Sequence, residues 1–226
     1  FTSSARFRYD GVNYTASRII AHPNYSFSLS AGPHDLALLE LATPVPGLTP
    51  VPLWVFASPE DILGETAIWV GSGSGGTGLT GQQSFLAEKR GFTNEVDYIG
   101  AFGLPSTSFI ADFDRPDGSE NVNAASNPNP TALEGNLATG DSGGGVFIER
   151  GGQRYLVGIN SYQASLDGNT NGDYGDLSGA TNLALYYDWI AAETGIVPVP
   201  EPQVGLLTFV AAAFLFFGRR RKRATA

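Results

Sequence analysis

The sequence predicts an all-β body closed by one helix, and three observations carry that prediction. Short apolar and β-branched runs alternate with turn residues along most of the chain. Glycine occurs 29 times and proline 14 times in 226 residues, which suits many short strands joined by turns. Only one segment before the tail has helical spacing.

Taken in order, Arg6-Phe7-Arg8-Tyr9 and Val12-Asn13-Tyr14-Thr15 flank Asp10-Gly11, which predicts a hairpin with a type I′ turn. Ser17 to His22 reads as a strand stopped by Pro23-Asn24, and the nearly all-apolar residues 36–41 as a buried strand. Pro44, Pro46, Pro50 and Pro52 make Thr43 to Leu53 an extended connector, and the boundary between residues 1–52 and 53–195 is placed there. Ala67 to Val70 predicts a strand running into a glycine loop, Gly71 to Gly76. That loop lacks the Lys-Ser/Thr ending of a phosphate loop and opens no helix, so nucleotide binding is not expected. Further strands are expected at Asn94 to Ile99, Phe109 to Phe113, Val146 to Glu149 and Tyr155 to Asn160, the last two joined across Gly151-Gly152; Ser119 to Pro130 reads as polar loop. Leu183, Tyr186, Tyr187 and Ile190 fall on one helical face, with Thr181 or Asn182 as cap and Gly195 as stop.

The net charge is -9, with 22 acidic and 13 basic residues, and five of the basic ones sit in the last eight positions. So acidic a body argues against a nucleic-acid partner. There is no cysteine, so packing, hydrogen bonds or a metal must hold any exported form together. The chain starts at Phe1 and contains no Met, so it is expected to be a fragment of a longer product.

The segment Gly140-Asp141-Ser142-Gly143-Gly144-Gly145 carries the chemistry. A serine hydroxyl needs a base to take its proton and dipoles to meet the oxyanion. Small neighbours let the Gly140 and Ser142 amides approach a carbonyl, and Gly143 and Gly144 permit a turn that points Ser142 outward. Asp141, beside the nucleophile, is expected to pair with a cation that shapes the loop.

This stretch resembles the nucleophile loop of the trypsin-like (chymotrypsin-fold) serine proteases. Ile19-Ile20-Ala21-His22-Pro23-Asn24-Tyr25 and Asp35-Leu36-Ala37-Leu38-Leu39-Glu40-Leu41 are similar to the family's catalytic-aspartate region. Trp69-Val70-Gly71-Ser72-Gly73 is loosely similar to its Gly-Trp-Gly stretch, and Gly158-Ile159-Asn160-Ser161-Tyr162 to its substrate-binding strand. Tyr187-Asp188-Trp189-Ile190 is similar to the start of its terminal helix. The likeness spans residues 1–195. It implies two antiparallel β-barrels, the first incomplete, followed by a C-terminal helix. It also implies Ser142 as nucleophile, Asp35 as orienter of the base, and Gly140 and Ser142 as oxyanion donors. Asn136 would floor the specificity pocket, and Ser161, Tyr162 and Gln163 would pair with a peptide or protein substrate. The neutral Asn136 does not support an Arg/Lys preference, and Gln163 would narrow the pocket mouth.

The base is the gap in this likeness. Only His22 and His34 exist. His34 adjoins Asp35 on an expected strand, where neighbouring side chains face opposite ways, and His22 belongs to a His-Pro-x-Tyr turn. The resemblance implies a catalytic His upstream of Phe1, so the fragment itself is expected to be inactive.

The reaction requires no cofactor. Asp167-Gly168-Asn169-Thr170-Asn171-Gly172 matches the first half of a calcium loop, with Asp167, Asn169 and Asn171 as oxygen donors to a structural Ca2+; Ser178 stands where the pattern asks for Glu.

The tail reads as a separate module: a Pro-rich linker over 196–203, then Val204 to Gly218 without charge, then Arg219-Arg220-Arg221-Lys222-Arg223. Fifteen apolar residues make a helix of roughly 22 Å, short of the about 20 residues of a full span. With Val199-Pro200-Glu201-Pro202, the unit resembles the PEP-CTERM sorting signal. That implies a transmembrane anchor over 204–223, handling by an exosortase-type enzyme, and an exported, membrane-anchored or surface location in a Gram-negative bacterium. The expected function is a serine endopeptidase acting through an acyl-enzyme at Ser142; the alternatives are a non-catalytic protease-like binding module and a membrane scaffold.

Overall fold

The computed structural model of the protein describes residues 4–28, 34–119, 127–196 and 199–200. The chain opens with β1 (Arg6–Tyr9), β2 (Val12–Ala21) and β3 (Ala37–Leu41), then β4 (Trp54–Val55) and β5 (Thr66–Gly71). Next come β6 (Ser74–Thr77), β7 (Gly81–Phe85), β8 (Arg90–Glu95), β9 (Tyr98–Ile99) and β10 (Ser108–Asp112). It ends with β11 (Gly145–Arg150), β12 (Gln153–Ala164), β13 (Leu177–Asn182), helix α1 (Tyr187–Thr194) and β14 (Val199–Pro200).

Asp10 and Gly11 both take positive φ, 46° and 77°, and pair Tyr9 with Val12, so the type I′ hairpin forms as the Asp-Gly step dictates. Gly151 and Gly152 do the same between β11 and β12. The strand expected over 36–41 is less buried than its apolar residues suggest, with Leu39 46% exposed on an open sheet. Of the stretch read as a glycine loop, Gly71 ends β5 and Ser74 to Gly76 belong to β6, paired with β7. Its residues carry no apolar alternation, so periodicity could not show it.

The expectation of two antiparallel β-barrels, the first incomplete, is corrected. β1-β2-β3 form one open three-stranded sheet, too few strands to close on themselves. The large sheet runs β8-β5-β11-β12-β13-β10-β9, curled but open. Its two edge strands, β8 and β9, are consecutive in the chain, separated by Val96 and Asp97, yet they do not pair with each other. The curl brings the β8 end over β10: Asn94 Nδ2 donates to Asp112 O (2.7 Å) and Asp97 N to Ile110 O (2.9 Å). Inside the curl, fully buried Trp69 stacks on Phe92 (5.8 Å) and meets Phe109 edge-on (5.6 Å).

The single helix forms where its spacing requires. Asn182 Oδ1 accepts the Ala184 N–H (3.0 Å) at the head of a 3₁₀ turn, Leu183–Tyr186, that leads into α1. Gly195 ends α1 at φ 71°. Leu183, Tyr186, Tyr187 and Ile190 pack against Leu36, which docks the first sheet's segment onto the rest. Asn182 also donates to Pro59 O (3.1 Å) and is fully buried. Asn182→Ala is therefore expected to cost about 1–3 kcal/mol, read as a lowered urea midpoint.

The transmembrane, membrane-partner and membrane-anchored expectations are also corrected. Among the described residues no helix is long and apolar enough to cross a membrane; the one α-helix has 8 residues and half-polar faces. The stretch 204–223 that prompted them lies outside the described residues. Of the linker, Val199–Pro200 is extended and pairs in parallel with β4.

Candidate active site

Ser142 lies at the apex of a turn whose amides alternate. Asp141 N donates to Ala138 O (3.0 Å), Gly143 N to Asn160 O (2.9 Å) and Gly144 N to Asp141 O (3.1 Å). The amides of Gly140 and Ser142 have no acceptor among the described residues, and the exposed Ser142 hydroxyl has no partner there either. Two unengaged donors thus flank one free hydroxyl. Glycine is required at two places. A Cβ at Gly140 (φ 98°) would lie 2.6 Å from the Phe85 ring, and one at Gly144 would lie 2.0 Å from Val70 O.

Asp141 meets amides where a cation was expected. Its carboxylate accepts Gly73 N (2.6 Å) and Ala138 N (2.8 Å), tying the nucleophile turn to the segment after β5. Asn160, a residue without an assigned role in the sequence reading, braces the turn from the other side. Its Nδ2 donates to Val70 O and Asp141 O, both at 3.0 Å, and its N–H to Gly144 O (2.8 Å).

Asp35 is the central residue of a tight turn: Leu36 N donates to His34 O (2.8 Å), with His34 at φ 42°. The Ser161 hydroxyl donates to Asp35 Oδ2 (2.7 Å), and Thr181 Oγ1 to the Asp35 carbonyl (2.9 Å). Ser161 sits at the β12–β13 register shift between Asn160 and Tyr162, which frees its side chain from the ladder. Asp35 is therefore joined, through Ser161 and its neighbour Asn160, to the Gly143 amide next to Ser142.

Of the expected substrate-binding residues, Tyr162 and Gln163 pair with β13 on one side and Ser161 sits at the register shift, whereas β11 stops pairing at Ile159, so among the described residues no strand pairs along their other edge. The Tyr162 ring faces the sheet: its hydroxyl meets Ser108 Oγ (2.6 Å), and burial pushes it up to about 12. Gln163 Nε2 donates to Leu137 O, and Ser178 Oγ donates to Asn136 Oδ1 while accepting Leu137 N–H (2.9 Å). The segment carrying Asn136 is thus stitched to β12 and β13.

Both histidines are spent elsewhere. Their rings stack at 4.9 Å, and His22 meets Tyr186 and Trp189 edge-on. His34 Nδ1 pairs with the Tyr186 hydroxyl (3.0 Å), and His22 Nδ1 accepts Asn24 N–H (3.3 Å). Burial, and then the neighbouring His34, hold the His22 imidazole below its ordinary value. Among the described residues no hydrogen bond links either ring to Ser142 or to the Asp35 carboxylate.

In the loop offered to calcium, oxygens of Asp167, Asn171 and Asp176 accept local backbone N–H groups. Asp167 Oδ1 accepts Asn169 N–H (2.7 Å), Asn171 Oδ1 accepts Asp173 N–H (3.0 Å), and Asp176 Oδ2 accepts Asn171 N–H (2.9 Å) and Gly172 N–H (2.6 Å).

Neither the family models nor the curated proteins compared with this chain give a match.

Proposed function

We propose that this chain carries the nucleophile-bearing part of a trypsin-like serine endopeptidase. Ser142 Oγ attacks the scissile carbonyl carbon and forms a C–O bond. Its proton passes through a histidine base to the leaving amine as the C–N bond breaks. Water then hydrolyses the acyl-ester by the same route. Asp35 orients the base, and the Gly140 and Ser142 amides receive the oxyanion. Because His34 is held by Tyr186 and His22 packs between Tyr186 and Trp189, the reading requires the base from outside residues 1–226.

The observation that supports it most is the pair of unengaged amides flanking an exposed hydroxyl; the Ser161–Asp35 bond brings the carboxylate into the same neighbourhood. The test is acylation by a p-nitrophenyl ester in the full-length gene product. Ser142→Ala is expected to cut the burst by at least about 10³-fold, and residues 1–226 alone to react far more slowly than the full product. An undiminished burst in Ser142→Ala would reject the assignment. The packing of both histidines against Tyr186 and Trp189 favours a second reading, a peptide-binding module without turnover. A full-length product that binds peptides at the open edge of β12 but never acylates would favour it.

A further inference from the structure

A cleft of about 690 Å³ lies beside the nucleophile turn; Asp141 lines it, but Ser142 and Ser161 to Gln163 do not. Asp114, Glu134 and Asn136 also line it, and each holds a buried polar atom with no hydrogen-bond partner: Asp114 Oδ1, Glu134 Oε1 and Asn136 Nδ2. Asp114 is only 5% exposed. Glu134 Oε2 accepts Thr131 N–H (2.7 Å) and the Thr131 hydroxyl (2.6 Å), so the unmet acceptors are Glu134 Oε1 and Asp114 Oδ1, while Asn136 Nδ2 is a donor that a cation does not serve. A buried carboxylate oxygen left unmet is costly and calls for a partner.

Among the described residues no ion pair to Asp114 or Glu134 is seen. Arg90, at the rim, donates to Gly73 O (2.6 Å). Arg115, next to Asp114 in sequence, lies over the Tyr174 ring (5.7 Å) and pairs with Asp117 (3.5 Å). Phe92, Phe113 and Tyr174 supply apolar and π surface to the same cleft. Among the described residues no third carboxylate or imidazole joins Asp114 and Glu134 in a metal-holding group. The volume falls within the range of ordinary small-ligand sites.

We propose that this cleft binds an alkylammonium or guanidinium group, with Asp114 and Glu134 as its counter-ions and the aromatic rings against its stem. Asn136, which the family likeness would place at the floor of the specificity pocket, also lines the cleft, but binding at Asp114 and Glu134 requires no acylation of Ser142. Burial pushes both carboxyls up to about 7, the charges of Asp112 and Glu95 adding to the rise at Asp114 and that of Asp114 at Glu134. An arriving cation displaces protons from them.

The test is calorimetric titration of the full chain at neutral pH with agmatine, with acetyl-Gly-Arg-Gly-amide and with its citrulline counterpart. The arginine peptide, agmatine or both are expected to bind at least about tenfold more tightly than the citrulline peptide, with heats that reveal proton release. Tighter binding of the peptide identifies a basic chain segment as the source of the cation, and tighter binding of agmatine a free amine. Asp114→Asn and Glu134→Gln are each expected to weaken binding at least about tenfold, and Ser142→Ala to leave it unchanged. Thermal melts check folding, and Glu134→Gln carries the test if Asp114→Asn does not fold. Equal binding of arginine and citrulline peptides, unaltered affinity in the folded variants, or displacement of agmatine by Ca2+ at equal concentration would each overturn the proposal.

Discussion

Raising the pH from 5 to 8.5 is expected to lower the urea midpoint of this protein markedly, and Asp97→Asn is expected to remove much of that fall. Asp97 faces Asp112 where the curled sheet brings the end of β8 over β10, and Asp112 N–H donates to Asp97 Oδ2 (3.1 Å). Burial, then the hydrogen bond and charge of Asp112, push the Asp97 carboxyl up to about 9. The folded state therefore holds a proton that the unfolded state releases near its ordinary value of 3.8. The stabilisation is complete below that value and is lost as pH climbs towards 9, with an upper limit of about 1.4 kcal/mol per pH unit. Allowing for partial exposure, a fall on the order of 2–4 kcal/mol is expected. Asp114 and Glu134, both raised to about 7 by burial, act in the same direction. Equal midpoints at pH 5 and 8.5 in the wild type would show that the folded state does not hold the Asp97 proton.

Gly144→Ala is expected to be far more damaging than Gly143→Ala. At Gly144 a Cβ would lie 2.0 Å from Val70 O and 2.7 Å from Asn160 Nδ2, both fixed parts of the brace behind the nucleophile. Relief requires the turn to part from β5, at a cost on the order of 3 kcal/mol, or about 6–12 °C in a chain of this size. Acylation should be lost with it. At Gly143 (φ 83°) a Cβ meets open space, so only backbone strain of about 1–2 kcal/mol applies. Thermal melts of the two variants should differ by several degrees in that order. Equal melting points would mean that the Asn160 brace does not hold the turn.

How much of this could be read beforehand depended on distance along the chain. The Asp10-Gly11 hairpin, the Asn182 cap and the Gly195 stop were legible because each is settled by residues within one turn of each other. The glycine turn at Ser142 was legible for the same reason. The curl of the large sheet was not, since it depends on Asn94 reaching Asp112 and on an interruption at Val96 and Asp97 that no pattern marks. The acid-lined cleft followed from that curl: Asp114 and Glu134 are distant in sequence and belong to no motif. The role of Asp141 was half legible. Its carboxylate does shape the loop, but it does so through the Gly73 and Ala138 amides, which a search for a counter-ion overlooks. The Ser161–Asp35 bond joins residues 126 positions apart, and no motif in the sequence pairs them.

The most direct test of the central claim is a crystal structure of the full-length product after reaction with a phosphonate inhibitor. The account predicts a covalent bond from phosphorus to Ser142 Oγ, with one phosphonyl oxygen about 2.7–3.1 Å from both the Gly140 and Ser142 amide nitrogens. An adduct on another residue, or a phosphonyl oxygen turned away from both amides, would contradict it.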